Sequence, residues 1–383
     1  MSKIKILYIG INYQYFNRTN TCLLKLLEKN FILEFYGPGF SSQDELNNGL
    51  EKFVHKNGPY NFYLASKDIV YTSNPGNINQ WIKKNTYHTK FSFLKPKTQN
   101  DICRYLEANR EKTIVSLLDV DIYSIRKSFF DDISNRAGFF IGFGNEAINT
   151  SDSRLEYEPF IQKKIQSNHI IGENYFNFAK KNNDKLIRFG HLVADEEVNE
   201  LPLLNRPYDA SVPGVKYLRR LEALNAVSDL DFITLYRENE YFKKLLYKFP
   251  KNRYLKKSFL NYYDTSFKKQ LLQSKSCITD GGIIDLTVRK FLEIPASGSL
   301  LICWPTSDLI EMGFEHEKNS IFIESSKDLE VVYRSLKRDI KKWQQLATEG
   351  QKLVLNNHTI TGRSNYLNNV LENIINSNYS TVF

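Results

Sequence analysis

Asp285 and Glu293 are two carboxylates on one short stretch, DGGIIDLTVRKFLEIPASGSLLICWP, which runs from Asp280 to Pro305. Seven residues separate them. If Ile284 to Ile294 is a helix, that spacing is about 80° of rotation and about 12 Å of rise. Two acids so placed meet different parts of one elongated ligand. Gly281 and Gly282 lie just before them and let the chain turn sharply into the helix. A helix that begins there opens with unbonded N–H groups and the positive end of its dipole, which suits a phosphate. Arg289 and Lys290 add cations on the same segment. A plain structural reading stands beside this one: a surface helix with Arg289 and Glu293 as an i, i+4 ion pair.

The elements that must position these residues follow a strand–helix rhythm. Ile4 to Ile11 is an apolar run of the kind found in buried parallel strands. It is followed by a helix around Thr21 to Lys29 and a second strand at Phe31 to Tyr36. Thr113 to Leu118 and Phe139 to Phe143 continue the pattern. In open α/β sheets, ligands bind at the carboxyl ends of strands, which marks Asn12, Asp119, Asp121, Asn145 and Glu146 as candidates. Each is equally suited to forming a turn or capping a helix. The composition changes over Leu186 to Arg206, and the acidic, proline-containing second half of that stretch reads as an interdomain connection. A second α/β pattern follows: a strand at Tyr208 to Val212, the turn Pro213-Gly214, a helix from Lys216 to Val227 carrying Arg219 and Arg220, and a strand at Phe232 to Tyr236. Further on come a helix at Ser266 to Ser274, a short strand at Cys277 to Thr279, a strand over Ser299 to Trp304, and long helices over Leu329 to Asn356 and Ser364 to Asn376.

With 383 residues the chain is too long for one ordinary core, so two domains are expected. The boundaries expected are 1–190, 191–360 and a C-terminal helix and tail at 361–383 that packs back on the first domain. Hydrophobic residues make up 42% and charged residues 25%, which excludes a disordered chain. The formal net charge of +9 favours anionic partners such as nucleotides, acidic glycans or anionic membrane surfaces. The lysines are scattered, and no dense basic arm tracks a nucleic acid backbone. Cys22, Cys103, Cys277 and Cys303 form no CxxC pair, which points to reduced thiols and a cytoplasmic setting. The opening apolar run is too short for a signal peptide or a membrane span.

From His191 onward the chain resembles the spore-maturation-type branch of GT-B glycosyltransferases, those with a family 1-like C-terminal domain. HLVADEEV (His191 to Val198) is similar to the segment that enters the second domain. YDASVPGVKYLRRLEAL (Tyr208 to Leu224) is similar to its first strand, glycine turn and Arg-bearing helix. RKFLEIPASGSLLIC (Arg289 to Cys303) resembles the central helix, turn and strand. NSIFIESSKDLEVV (Asn319 to Val332) and NHTITGR (Asn357 to Arg363) follow in the family's order. The resemblance covers about half the chain and implies two Rossmann-like domains facing an interdomain cleft. The donor, a nucleotide-sugar, is then held mainly by the second domain and the acceptor mainly by the first. Glu293 and Asp285 match the family's spaced acids, which implies that Glu293 binds the donor ribose and Asp285 the transferred sugar. The first acid here is Asp rather than the commoner Glu.

Breaking a sugar–phosphate bond leaves negative charge on the diphosphate. N–H groups at Gly281 to Asp285, together with the side chains of Lys216, Arg219 or Lys290, are the groups expected to meet it, and Gly214 is a further donor-side candidate. The family implies transfer without a metal or other cofactor. Asp119-Val120-Asp121 has the spelling of a metal-binding pair but sits at a strand end, where a turn is the better reading. Retention of anomeric configuration is favoured by the acid pair; inversion needs a first-domain base, for which Asp119, Glu146 and His191 are candidates. A lone histidine at a domain junction is more often structural. The function expected is transfer of a sugar to a glycan, lipid-linked or protein acceptor by a cytoplasmic enzyme with peripheral membrane contact. A sugar transferase acting on modified DNA, and a non-catalytic nucleotide- or glycan-binding protein of the same fold, are the alternatives.

Overall fold

A computed structural model describes residues 4–9, 18–36, 62–63, 70–71, 104, 107–108, 114–119, 136, 139–144, 169–172, 186–188, 191–199, 202–214, 218–228, 232–233, 265–282 and 287–376. The chain divides into two compact units, Met1–Leu192 with Arg363–Phe383, and Val193–Gly362. The sequence also predicts a helix over 43–56, a turn at 74–77 and helices over 102–109 and 122–136; the first two, and most of the last two, lie outside the described residues.

The first unit holds strands β1 (Lys5–Ile9), β2 (Ile32–Tyr36), β5 (Ile114–Asp119), β6 (Phe139–Gly144), β7 (His169–Gly172) and β8 (Leu186–Arg188), hydrogen-bonded in the order β2-β1-β5-β6-β7-β8. All pair in parallel. A separate antiparallel pair, β3 (Phe62–Tyr63) and β4 (Val70–Tyr71), stands apart from that sheet. Helix α1 (Arg18–Asn30) buries Cys22, Leu23, Leu26 and Leu27, an i, i+4 stripe that faces the core. Its last residue, Asn30, donates from Nδ2 to Leu26 O at 2.7 Å and to Ser364 Oγ at 3.0 Å. Leu186 to Arg188, where the sequence shows only a change of composition, is the edge strand β8.

The second unit is a five-stranded parallel sheet in the order β10-β9-β11-β12-β13, formed by β9 (Tyr208–Ser211), β10 (Phe232–Ile233), β11 (Ser274–Thr279), β12 (Leu300–Cys303) and β13 (Ile321–Phe322). Its two faces are both covered. Side chains alternate across a strand, so Leu300, Ile302 and Trp304 join one core with Ala210, Val212 and Ile278, while Leu301 and Cys303 join the other with Cys277. The first core is closed by helices α2 (Leu218–Ala226), α6 (Asp328–Arg338) and α7 (Ile340–Asn357) through Ala223, Leu329, Tyr333, Trp343 and Leu346. The second is closed by α3, at 265–273, by α4 (Lys290–Ala296) and by α5 (Ser307–Glu311), through Phe267, Leu271, Phe291, Leu292, Ile294 and Leu309. Near-continuous apolar runs such as LLIC are what burial on both faces demands.

Two helix expectations change. The helix expected from Ile284 to Ile294 is α4, which begins at Lys290 and runs through Pro295 to Ala296. Pro295 does not stop it. The chain ends the helix two residues later at Gly298, whose φ of +80° allows Ser299 N–H to reach back to Ile294 O at 3.3 Å, the left-handed ending that glycine favours. The single helix expected over Leu329 to Asn356 is two, α6 and α7. They break at Asp339, whose carboxylate accepts from Lys342 N–H at 2.9 Å and caps the second. The last helix, α8 (Ile360–Asn376), starts four residues earlier than expected. No helix among the described residues is long and apolar enough to cross a membrane.

Candidate functional site

In the second sheet the strand order reverses direction between β9 and β11, because β10 lies on one side of β9 and the later strands lie on the other. Such a switch point opens a crevice at the carboxyl ends of the two strands. The residues that emerge there are Gly214, after β9, and Asp280, directly after β11.

Helix α2 begins beside this point. Arg220, Ala223 and Val227 are all buried, and their i, i+3, i+7 spacing makes them its inward stripe. Arg220 is 1% exposed and Asp280 is 1% exposed. Arg220 Nε lies 2.6 Å from Asp280 Oδ1, and Nη2 donates to the Asp280 carbonyl oxygen at 3.1 Å. The carboxylate and the backbone of Asp280 thus hold one guanidinium in place. Its neighbour Arg219 turns outward, with its guanidinium carbon 6.0 Å from the centre of the Trp304 ring. Sequence reading chose Arg219 as the cation of this helix; the helical spacing of Arg220 with Ala223 and Val227 was the signal that distinguishes the inward arginine.

Gly214 has φ of +95° and is buried. A Cβ built on it would lie 2.1 Å from Lys290 Nζ and 3.4 Å from Arg220 Nη1. The turn therefore needs glycine twice over, for its backbone angle and for the approach of two cations. Burial, reinforced by the Arg220 charge, pushes the Lys290 amine down to about 7, with Glu293 and Asp280 pulling the other way.

Glu293 sits one turn along α4 and is mostly buried. It forms the i, i+4 ion pair with Arg289, whose other terminal nitrogen pairs with Glu197. Glu197 in turn accepts from Ala194 N–H at 2.9 Å. Arg289 is thereby a bridge between the segment that enters this unit and the helix that carries Glu293. Both readings of the acid–base spacing on this helix thus meet at Glu293, since a side chain can be oriented by an ion pair and still face a ligand.

The segment after β11 is fixed at both ends. Gly281 is buried, and Gly282 has φ of +72°. Thr287 and Thr306, both buried, share a hydrogen bond between their hydroxyls, and Thr306 Oγ1 also accepts from Leu309 N–H at 3.2 Å. Asp285 lies between these anchors, outside the described residues, as does Lys216. Helix α4 begins only at Lys290, so the N–H groups of Gly281 and Gly282 do not lie at its terminus; Gly282 itself is 3-10 helical, and residues 283–286 lie outside the described residues.

In the first unit Asp119 is the last residue of β5, in register with Phe143 of β6. His191 is half-buried, two residues before Val193, whose N–H donates to His358 O at 3.0 Å. Asn12, Asp121, Asn145 and Glu146 lie outside the described residues. The structure therefore brings together Gly214, Lys290 and Glu293 from the sequence candidates, and adds Arg220 and Asp280. Among the described residues, no group of three or more His, Cys, Asp or Glu side chains is arranged to hold a metal ion.

Residues 284–369 match the family model described as glycosyl transferase-like. A search of curated protein sequences gave no match. Among solved structures, the fold is similar to that of Anabaena HepE in complex with UDP, with a TM-score of 0.58 at 8% identity over 96% of this chain and 100% of that one. It is also similar to a glycosyltransferase from Rickettsia africae, with a TM-score of 0.55 at 12% identity over 98% of this chain and 99% of that one. The sucrose-phosphate synthase of Thermosynechococcus elongatus has a TM-score of 0.53 at 10% identity, covering 98% of this chain and 100% of that one. The α/β fold of the chain is of the GT-B glycosyltransferase type, and with the glycosyl transferase-like match over residues 284–369 it supports a glycosyltransferase.

Proposed function

We propose that the chain moves a sugar from a nucleoside diphosphate-linked donor to a glycan, lipid-linked or protein acceptor. The observation that carries this reading is the placement of Arg220 and Lys290 together against Gly214 at the switch point of the second sheet. Two cations over a glycine turn match the charge and size of a diphosphate. A uridine nucleotide is favoured because the similar HepE protein was solved with UDP. Within the resemblance, the spore-maturation-type branch remains the finer assignment.

In this mechanism the bond between the anomeric carbon and the diphosphate oxygen breaks, and the electron pair goes to the diphosphate. Arg220 and Lys290 stabilise that charge as it develops. Glu293, held by Arg289, receives the ribose hydroxyls, and Asp285 meets the transferred sugar. Gly281, Gly282, Lys216 and Arg219 complete the donor side of the proposal. The acceptor hydroxyl oxygen forms the new bond to the anomeric carbon. Its proton passes to a phosphate oxygen of the leaving group if configuration is retained, which the spaced acids favour. It passes to Asp119, Glu146 or His191 if configuration is inverted. Asn12 and Asn145 belong to the acceptor side of this reading. Metal-independent transfer and a cytoplasmic, peripherally membrane-bound enzyme are parts of the same proposal; the net charge of +9 suits an anionic lipid surface.

The test is a panel of UDP-, GDP-, ADP- and CMP-linked sugars, with binding and hydrolysis measured for each. Binding with slow hydrolysis of one donor supports the enzyme. Binding with no turnover on any glycan, lipid-linked or DNA acceptor favours a non-catalytic nucleotide-binding protein. If no donor is bound, the reading fails.

A further inference from the structure

Lys290 and Arg220 press two positive heads against one glycine, within the 2.1 Å and 3.4 Å that separate each from a Cβ built on Gly214. Their situations differ. A guanidinium does not give up its proton in a protein, and Arg220 is fixed by the Asp280 carboxylate and carbonyl. An amine on a flexible stem gives up its proton when buried among like charges. The charged groups that face Lys290 are Arg220 from α2, Asp280 at the end of β11 and Glu293 from its own helix. Asp280 is committed to Arg220, and Glu293 to Arg289. Among the described residues, no carboxylate is bonded to the Lys290 amine. Lys216 and Asp285 fall in neighbouring segments outside the described residues.

We propose that Lys290 takes up a proton as the diphosphate binds, so that the anion completes the positive charge of its own site and binding weakens as pH rises. This rests on the donor reading given above. Without ligand, burial and the Arg220 charge hold the amine down to about 7, so at pH 8 it is mostly neutral. A diphosphate laid across Arg220 and the Gly214 turn brings at least two negative charges beside that amine and restores the ammonium. A neutral amine then becomes a charged donor only when there is an anion to receive it.

Calorimetric titration with UDP, GDP and ADP, in two buffers of different ionisation enthalpy, reads the proton directly. At pH 8 the terminal phosphate of each nucleotide is already ionised, its last pKa being about 6. The expected result at pH 8 is uptake of about 0.9 proton per nucleotide bound; at pH 6 the amine takes up only about 0.1 while the half-protonated terminal phosphate gives up about 0.5, so the net is a release of about 0.4. Affinity should fall by up to about tenfold per pH unit above 7.5. Lys290→Arg, permanently charged, should bind with no uptake and a flat pH profile. Tight binding with under about 0.2 proton taken up at pH 8, or unchanged uptake in Lys290→Arg, overturns the inference and leaves the donor site standing. Should Lys290→Arg fail to fold by circular dichroism, the wild-type values at the two pH settings still decide. If none of the three nucleotides binds at either pH, the donor reading itself fails and this inference goes with it.

Discussion

Arg220 Nε lies 2.6 Å from Asp280 Oδ1, and neither side chain is more than 2% exposed. This ion pair ties the start of α2 to the end of β11 at the point where the sheet changes direction. Removing one partner leaves a buried charge unmatched, which costs about 3–5 kcal/mol. Asp280→Asn should therefore lower stability by that amount in urea denaturation. An apolar pair, Arg220→Met with Asp280→Leu, should recover much of the stability and still lose nucleotide binding. A double variant that is stable and binds UDP normally would remove Arg220 from the site.

Gly214 tests the site from the backbone. An alanine there meets Lys290 Nζ at 2.1 Å and must hold φ near +95°. Lys290 is a flexible chain that can swing aside, so the fold should survive with a loss of about 1–2 kcal/mol for the left-handed angle. The amine, however, is driven from its place beside Arg220. Nucleotide affinity should drop by tenfold or more, about 1.4 kcal/mol, with circular dichroism unchanged. Equal affinity in Gly214→Ala would show that the turn holds no ligand.

How much of this was legible in the sequence depends on the range of the interaction. Strands such as β1, β2, β5, β6 and β12 announced themselves as apolar runs, because burial on both faces of a parallel sheet leaves no alternation to misread, whereas the short β7 and β8 went unread. Glu293 and Arg289 were legible as a pair because i, i+4 contact is local. Arg220 with Asp280, sixty residues apart, was not, since nothing in the chain marks which arginine of a pair faces inward except the small residues one turn on. The helix start failed for a local reason. Gly281 and Gly282 signalled a turn, and the turn was taken as the entrance of the helix that carries Glu293, whereas that helix begins only at Lys290. Asp339 broke an expected single helix because an aspartate inside a polar run looks the same as one that caps.

Asp209 governs the acid side of stability. It is buried, which raises its pKa, but hydrogen bonds and charge from Lys275 and Lys337 outweigh burial and hold it below the ordinary value. Lys275 Nζ lies 2.8 Å from Oδ1 and Lys337 Nζ 2.8 Å from Oδ2. A carboxyl depressed in the folded state contributes stability that is present above its unfolded pKa of about 3.9 and is lost as pH falls through the folded value. Melting temperature should fall steeply below about pH 4 in the wild type. Asp209→Asn should be less stable at pH 7 and show a shallower acid limb. An identical acid limb in the variant would place the loss elsewhere.

Lys290 acts in the opposite sense on the unliganded protein. Its amine titrates near 7 when folded and near about 10.4 when unfolded. Between those values the unfolded chain binds more protons, so this group makes stability rise with pH. Cys277, whose thiol burial pushes up to about 12, works against it above its unfolded pKa of about 8.5. The informative quantity is therefore the difference between wild type and Lys290→Met. That variant should be the more stable at pH 7, and its advantage should shrink toward pH 10. A constant difference across the range would mean that the amine is charged throughout.

Glu293 separates a structural role from a ligand-binding one. Its ion pair with Arg289 is mostly buried, and Arg289 keeps a second carboxylate, Glu197. Removing the Glu293 charge thus leaves the guanidinium still paired, and Glu293→Gln should cost only about 1–2 kcal/mol of stability. Arg289→Met takes the guanidinium from two carboxylates at once and should cost more. If Glu293 serves only the fold, nucleotide affinity should track stability, and Arg289→Met should be the worse binder. If it receives the ribose, the order reverses: Glu293→Gln loses tenfold or more in affinity for UDP while staying the better folded of the two. The same comparison with 2′,3′-dideoxy-UDP, which lacks both hydroxyls, is the control. Against that ligand the wild type and Glu293→Gln should bind equally, and a persisting difference would assign Glu293 to the fold alone.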